Sequence, residues 1–285
     1  MTSWLRVAPR KKVDDAVRPF LFKTGPAEFC DDFNQYFYTT LYAKSVGRPL
    51  AVYDQVNPVA PSWAILKETF CDVIGTSFTD AMTPNATTLN QHDGNRVIPY
   101  VNTISRDDIQ MLATSILEWS VPMLKEISNL RTQNNIPDVI DVGVHLVRPA
   151  NARARDNTAT VSAYIDAVSE VDTRLGNPAV LRVFVAAEQP ALLQEFMQQV
   201  KPSWKIYTIY QSNMNVNGFS VVSFDRQRVS ARTQAYNEFI ASLSCLQTCE
   251  SLITSLSSET GKFLYLTNTT MTFFRSMEAT TFVAR

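Results

Sequence analysis

Three short segments of the chain combine residue types that can bind an anion or move a proton. The first is the run VHLVR at positions 144–148, in which a nearly all-apolar stretch carries His145 and ends in Arg148. A guanidinium donates two parallel hydrogen bonds to a phosphate or a carboxylate, so Arg148 is a candidate anion ligand. A buried structural histidine next to a surface arginine explains the pattern equally well, and the spacing alone leaves both interpretations open.

The second segment is rich in hydroxyl groups. Residues 251–261, SLITSLSSETG, are typical of a strand that runs into a polar turn, with a helix beginning at Ser257 or Ser258. The free N–H groups of a helix N-terminus, together with neighbouring hydroxyls, suit a diphosphate. The alternative is an ordinary capping box formed by Ser257, with Glu259 nearby.

The third segment, DDFNQ at positions 31–35, lies near the start of the first predicted helix. Carboxylates in the first turn of a helix usually interact only with the helix dipole. In a cleft, one of these aspartates would instead be able to act as a general base. Cys245 and Cys249, four residues apart on another predicted helix, indicate core packing rather than a metal site.

Composition excludes several other classes of protein. The 26 basic and 27 acidic residues nearly cancel, so no net field attracts nucleic acid. With two histidines and no HExxH, GxSxG, GxxxxGK[ST] or GxGxxG motif, the sequence disfavours zinc proteases, serine hydrolases and P-loop proteins. No apolar run approaches the roughly 18 residues of a membrane span, and no apolar segment follows the basic start. Four cysteines in 285 residues predict a reduced, cytoplasmic protein.

Helices and strands alternate along the predicted chain. The periodicity predicts strands at 49–53, 139–147, 181–187, 205–209 and 251–254, and helices at 27–45, 62–70, 106–130, 158–171, 190–200 and 227–248. Pro122 predicts a kink or break in the long helix, and residues 131–138 a linker. This alternation is typical of an α/β protein with doubly wound parallel sheets. We therefore expect two Rossmann-like domains that face a cleft, over residues 1–137 and 138–285.

Four blocks of the sequence resemble one family in order and spacing. They are FNQ followed by YAKSVGRPLAV in residues 33–52, GVHLVR at 143–148, VFVAAEQP at 183–190, and the stretch 246–262. The last follows the pattern L-S-Q-A-D-F-L-V-x-T-F-S-S-Q-x-x-R almost position by position. The chain thus resembles glycosyltransferases of the fucosyltransferase group: α1,6-fucosyltransferases, their nodulation relatives and protein O-fucosyltransferases.

The resemblance implies a GT-B fold and an inverting, metal-independent transfer from a nucleotide-sugar to a glycan. The donor is expected on the C-terminal domain and the acceptor in the cleft. Asn34 matches the opening motif directly, and Asp32 beside it is the leading candidate base. The residues implied for the nucleotide-sugar are His145, Arg148, Glu188, Ser242, Ser257, Ser258 and Glu259.

The departures from the family pattern concern the donor. Val147 stands where the family has its first arginine, which leaves Arg148, one place later, to bind phosphate. Ser242 stands where an aspartate recognises guanine in the α1,6 group, and a serine cannot accept two N–H bonds as a carboxylate does. We therefore expect no strong preference for GDP, and the donor is GDP-fucose or a UDP-sugar such as UDP-xylose. The closing arginine of the family is Lys262 here.

Two other functions stay open at this point. The lost arginine favours a non-catalytic relative that binds a nucleotide or a glycan, whereas an unrelated α/β hydrolase or phosphatase lacks any motif for its nucleophile. We expect no nucleic acid, membrane or metal partner. The short chain suggests a cytoplasmic enzyme of a bacterium or of a large DNA virus such as a chlorovirus.

Overall fold

The structure is a computed structural model of the 285-residue chain. It describes residues 20–23, 30, 34, 37–38, 50–53, 77–79, 87–88, 110–111, 117, 119, 121–147, 159–209 and 228–277.

A five-stranded parallel sheet organises the C-terminal half. Its strands are β5 (Val142–Leu146), β6 (Leu181–Ala187), β7 (Trp204–Tyr207), β8 (Ser251–Thr254) and β9 (Phe273–Ser276). Their order across the sheet is β7-β6-β5-β8-β9, and every neighbouring pair is parallel. The chain therefore starts in the middle of the sheet, builds outward to one edge, and crosses back to build the other, which is the doubly wound topology.

Helices cover both faces of this sheet. They are α1 (Val121–Gln133), α2 (Val161–Arg174), α3 (Pro190–Met197), α4 (Val229–Gln247) and α5 (Glu259–Thr267). Helices α2 and α3 pack with Val142 and Val183 in one apolar core, and α1, α4 and α5 pack with Phe184 and Leu252 in the other. The strands are apolar on both faces because each face is covered.

A second, four-stranded sheet lies in the N-terminal half. It contains β1 (Phe20–Lys23), β2 (Leu50–Tyr53), β3 (Ser77–Thr79) and β4 (Thr87–Thr88), in the order β3-β2-β1-β4 and all parallel. This order matches the first four positions of the C-terminal sheet. The predicted α/β class with two parallel, Rossmann-like sheets is confirmed.

The predicted elements of the C-terminal half are recovered with small shifts at their ends. Strands β6 and β8 have the predicted bounds, whereas α2 begins three residues later than predicted. Its start is set by Thr160, whose hydroxyl accepts a hydrogen bond from the backbone N–H of Ala163 at 3.2 Å. Such an N-cap satisfies a helix-end donor that has no partner inside the helix.

The break that Pro122 predicts in the long helix is confirmed, since residue 119 is not helical. Helix α1 begins at Val121, so Pro122 lies in its first turn, where no intrahelical N–H bond is lost. The predicted linker 131–138 is wrong in its first part, because α1 runs to Gln133 and Ile136 is buried in the core shared by α1, α4 and α5. The domain boundary at residue 137 stays a prediction. Helix α1 packs against α4, in the core that also contains Phe184 and Leu252 of the C-terminal sheet.

Gly261 offers a direct test of how tightly β8 joins α5. A Cβ atom at this position would lie 1.9 Å from the backbone oxygen of Ser255, which cannot move without shifting the turn. We expect Gly261→Ala to lower the free energy of unfolding by about 3 kcal/mol, measured by urea denaturation. Gly176→Ala is the control, because Gly176 has open space around it and only a positive φ of 79°. That control should lose about 1 kcal/mol, and equal losses in the two variants would contradict the steric argument.

Candidate functional site

The order of strands reverses between β5 and β8 in the C-terminal sheet. After β5 the chain passes to α2 on one face, and after β8 it passes to α5 on the other. In open α/β sheets, ligands bind outside the carboxyl ends of the strands at such a switch point. His145 near the end of β5, Thr254 at the end of β8, and the serine turn that leads into α5 all lie at this edge.

His145 bridges the two central strands and approaches the end of β6. Its Nδ1 lies 3.1 Å from the hydroxyl oxygen of Thr254, and its Nε2 lies 3.8 Å from Oε1 of Glu188. The side chain is buried, and this burial lowers the pKa of His145 to about 4. The imidazole is therefore neutral at pH 7, and its approach to Glu188 is not an ion pair. When Thr254 donates to Nδ1, the ring proton is on Nε2 and faces Glu188.

The turn between β8 and α5 is held together by its own serines. The hydroxyl oxygens of Ser255 and Ser257 lie 2.6 Å apart, and Ser258 donates to the carbonyl of Ser255 at 3.2 Å. Ser258 is the N-cap of α5, because its hydroxyl accepts from the N–H of Gly261 at 2.9 Å. A helix start at this turn is thus confirmed, but its cap is Ser258 rather than Ser257. Glu259 is the first residue of α5 and not the third, so the expected capping box does not form.

Capping leaves part of the helix N-terminus available to a ligand. Within the described part of the chain, the backbone N–H groups of Glu259 and Thr260 have no acceptor. These two donors stand beside Ser257, whose side chain is exposed. The turn therefore offers two N–H groups in one place, which is the kind of donor set that an anion requires.

Asn34 brings the N-terminal half of the chain to the same turn. Its Nδ2 donates to the backbone oxygen and to Oε2 of Glu259, both at 2.9 Å, across 225 positions of sequence. Asn34 is 1% exposed, and its helical neighbours Cys30 and Phe37 are buried in the core shared by α1, α4 and α5. The packing of this helical segment against the C-terminal core holds Asn34 at the first residue of α5.

The carboxylate of Glu259 has further partners around it. Lys262, one turn later on α5, places Nζ 2.5 Å from Oε1 of Glu259. Burial raises the pKa of the Tyr38 phenol, and the nearby negative charge of Glu259 adds to the effect. Tyr38 thus stays protonated at neutral pH.

The structure places six of the nine residues that the sequence singled out in two groups. His145 and Glu188 are neighbours, and Asn34, Ser257, Ser258 and Glu259 lie around the start of α5. Ser242 is buried in the middle of α4, where its hydroxyl donates to the carbonyl of Glu238 at 2.9 Å. A nucleotide contact by Ser242 stays a prediction. Asp32 and Arg148 lie outside the described residues.

Thr254 and Lys262 are two partners that sequence reasoning did not single out for the site. Thr254 ends a strand directly before the serine turn, and a polar residue at the carboxyl end of a parallel strand is the signal that points to it. Lys262 follows Glu259 at the i,i+3 spacing of a helical ion pair.

Burial also raises the pKa of the Cys245 thiol to about 12, so this cysteine behaves as core packing. The described residues contain no group of three potential metal ligands and no helix that is long and apolar enough to cross a bilayer.

Comparisons with known proteins found solved structures of fucosyltransferases. NodZ from Bradyrhizobium is 10% identical, with a TM-score of 0.49 over 87% of this chain and 92% of that one. POFUT1 in complex with GDP is 11% identical, with a TM-score of 0.47 over 92% and 99%. A variant of FUT1 from Arabidopsis thaliana in complex with GDP is 10% identical, with a TM-score of 0.49 over 88% and 68%.

No family model matches the sequence, and no curated protein matches it. At TM-scores below 0.5, the structural similarities assign neither a family nor an activity to the chain.

The lowered pKa of His145 predicts a pH-dependent stability. The unfolded histidine takes up a proton near pH 6.5 and the folded one only near pH 4, so the unfolded state binds more protons between these values. We expect the contribution of His145 to the free energy of unfolding to be complete above pH 6.5 and to fall by up to about 3 kcal/mol as the pH drops to 4. Denaturant titrations at several pH values should show that His145→Gln removes this part of the slope.

His92→Gln is the matched control, since His92 is the other histidine of the sequence. An unchanged slope in the His145 variant would contradict a neutral buried imidazole.

Proposed function

We propose that this protein is an inverting glycosyltransferase that moves a sugar from a nucleotide-sugar to a glycan. The observation that carries the proposal is the meeting of Asn34 with the serine turn at the switch point of the C-terminal sheet. The two halves of the chain thereby contribute to one polar site, as a two-substrate transfer requires. The resemblance of four sequence blocks to the fucosyltransferase group gives the reaction class.

The diphosphate of the donor binds at the start of α5. Its oxygens accept hydrogen bonds from the N–H groups of Glu259 and Thr260, which follow the turn of Ser257 and Ser258. Arg148, which follows the buried strand β5 by two residues, adds a charged pair of donors. These donors favour the reaction because negative charge grows on the diphosphate as the sugar leaves it.

Transfer then follows a single displacement. The acceptor hydroxyl attacks the anomeric carbon, the new C–O bond forms, and the bond from that carbon to the phosphate oxygen breaks on the opposite face. The leaving diphosphate keeps the electron pair, and the proton of the hydroxyl passes to a base, for which Asp32 is the candidate. No step requires a metal ion, since Arg148 and the helix N-terminus supply the positive charge.

The proposal includes two nucleotide bases for the donor, guanine and uracil. Ser242 stands where the α1,6 group has a carboxylate, and its hydroxyl is engaged with Glu238. We therefore keep both GDP-fucose and a UDP-sugar such as UDP-xylose as donors, and expect no strong preference for guanine.

The alternative is a non-catalytic relative that binds a nucleotide or glycan. Calorimetry with GDP, UDP, GDP-fucose and UDP-xylose, followed by an assay for slow release of free sugar, separates the two. Binding with turnover of one donor supports the transferase, and binding without any turnover supports the binding module. If none of the four compounds binds, both functions are wrong.

Arg148 is expected to contribute to nucleotide affinity mainly through the diphosphate. Arg148→Ala should weaken binding of the preferred nucleotide by about 1.5–3 kcal/mol, the range for a hydrogen bond to a charged group. Lys125→Ala is the control because Lys125 is an exposed cation on α1, and it should leave the affinity unchanged. Equal affinities of the Arg148 variant and the unmodified protein in calorimetry would remove Arg148 from the site.

Asp32 is expected to act on the chemical step alone. Asp32→Asn keeps the shape of the side chain and removes its basicity, so turnover should fall by roughly 10²–10⁴-fold while nucleotide affinity changes little. Asp31→Asn is the matched control and should retain most of the activity. Near-normal turnover of the Asp32 variant would transfer the role to another group or to the leaving phosphate itself.

A further inference from the structure

Glu259 presents an oriented carboxylate at the point where the two halves of the chain meet. Lys262 Nζ lies 2.5 Å from Oε1, and Asn34 Nδ2 lies 2.9 Å from Oε2, so both oxygens are held in place. The side chain is still 36% exposed. A carboxylate has about four acceptor positions, and two are occupied here, which leaves acceptor capacity for a ligand.

The charge of Glu259 divides the start of α5 into two different surfaces. The backbone N–H groups of Glu259 and Thr260 attract an anion, whereas the carboxylate beside them repels one. A ligand that suits both must carry its negative charge over the N–H groups and offer neutral hydrogen-bond donors to the carboxylate. A molecule that carries hydroxyl groups next to a phosphate meets both requirements.

Asn34 provides an independent reason to expect a hydroxyl here. Its Oδ1 is buried and has no hydrogen-bond partner within the described residues, although its Nδ2 makes two bonds. Exchanging the two ends of the amide does not resolve this, because the oxygen would then face two other acceptors, the backbone oxygen and Oε2 of Glu259. A buried acceptor without a donor costs free energy, and a hydroxyl that displaces the atoms covering Oδ1 recovers the missing bond.

We propose that Glu259 and Asn34 form a subsite for the hydroxyl groups of the donor's sugar. The inference rests on the proposed function and names the part of the nucleotide-sugar that these two residues select. With the diphosphate on the N–H groups of Glu259 and Thr260, the attached sugar ring lies next to the carboxylate. Glu259 accepts hydrogen bonds from the ring hydroxyls, and Asn34 both fixes Oε2 and offers Oδ1 as a further acceptor.

The test compares each nucleotide diphosphate with its sugar derivative. Calorimetry gives the ratio of the two dissociation constants, GDP against GDP-fucose and UDP against UDP-xylose, for the unmodified protein and for Glu259→Gln. We expect the variant to lose about tenfold or more of the preference for the sugar derivative, since a charged acceptor is replaced by a neutral one. Its affinity for the diphosphate alone should be unchanged or higher, because a repelling charge is gone.

Two further measurements make the result specific. Glu195→Gln applies the same chemical change to an exposed residue of α3 and should leave the ratio unchanged. Donor analogues that lack single ring hydroxyls, titrated into the unmodified protein, should bind about tenfold more weakly where the missing group contacts Glu259. This measurement does not depend on the folding of any variant.

The outcomes separate this inference from the function on which it rests. If neither GDP nor UDP nor their sugars bind, the proposed function fails and the subsite fails with it. If the nucleotides bind but Glu259→Gln leaves the ratio unchanged, and the deoxygenated donors bind as well as the complete one, the subsite alone is wrong. A variant that weakens diphosphate and sugar derivative equally also overturns it, since Glu259 then only shapes the turn.

Discussion

The parallel pairing of β5 with β8 is the constraint on which the described site depends. The register places Val144 beside Ile253, so the ends of the two strands, with His145 and Thr254, arrive at the same edge of the sheet. Gly143 allows Cys249 to pack closely against these paired strands, because a Cβ atom at position 143 would lie 2.7 Å from Sγ of Cys249. The apolar core beneath the switch point therefore sets where the polar groups above it stand.

Burial determines the chemistry of those polar groups. His145 lies in the sheet without solvent, and the cost of charging it there keeps the ring neutral at pH 7. The neutral imidazole of His145 contacts Thr254 and Glu188, at the end of β6, and adds no positive charge at this edge of the sheet. The donors available to an anion are instead at the start of α5, where the N–H groups of Glu259 and Thr260 have no acceptor in the described chain.

The contact between Asn34 and Glu259 makes the start of α5 a shared feature of both halves. One amide nitrogen satisfies both a backbone oxygen and a carboxylate oxygen, while its own oxygen is left without a donor. If this contact were purely structural, pairing every buried polar atom would make the folded state more stable. The unpaired atom and the oriented carboxylate lie at one place, which is why we relate both to the same ligand.

The sequence by itself determined the α/β class, the bounds of β6 and β8, and a helix start at Ser257 or Ser258, because periodicity and helix-start signals are local properties of the chain. It also named Asn34 and Glu259, which the resemblance places at one cleft, but no local pattern predicted a direct contact between them. The tertiary structure decided that contact, the neutral state of His145 and the internal hydrogen bond of Ser242, since each depends on what packs around the residue rather than on its neighbours in sequence. The end of α1 shows the same limit: the polar run 131–138 indicated a linker, whereas burial of Ile136 holds it against the core.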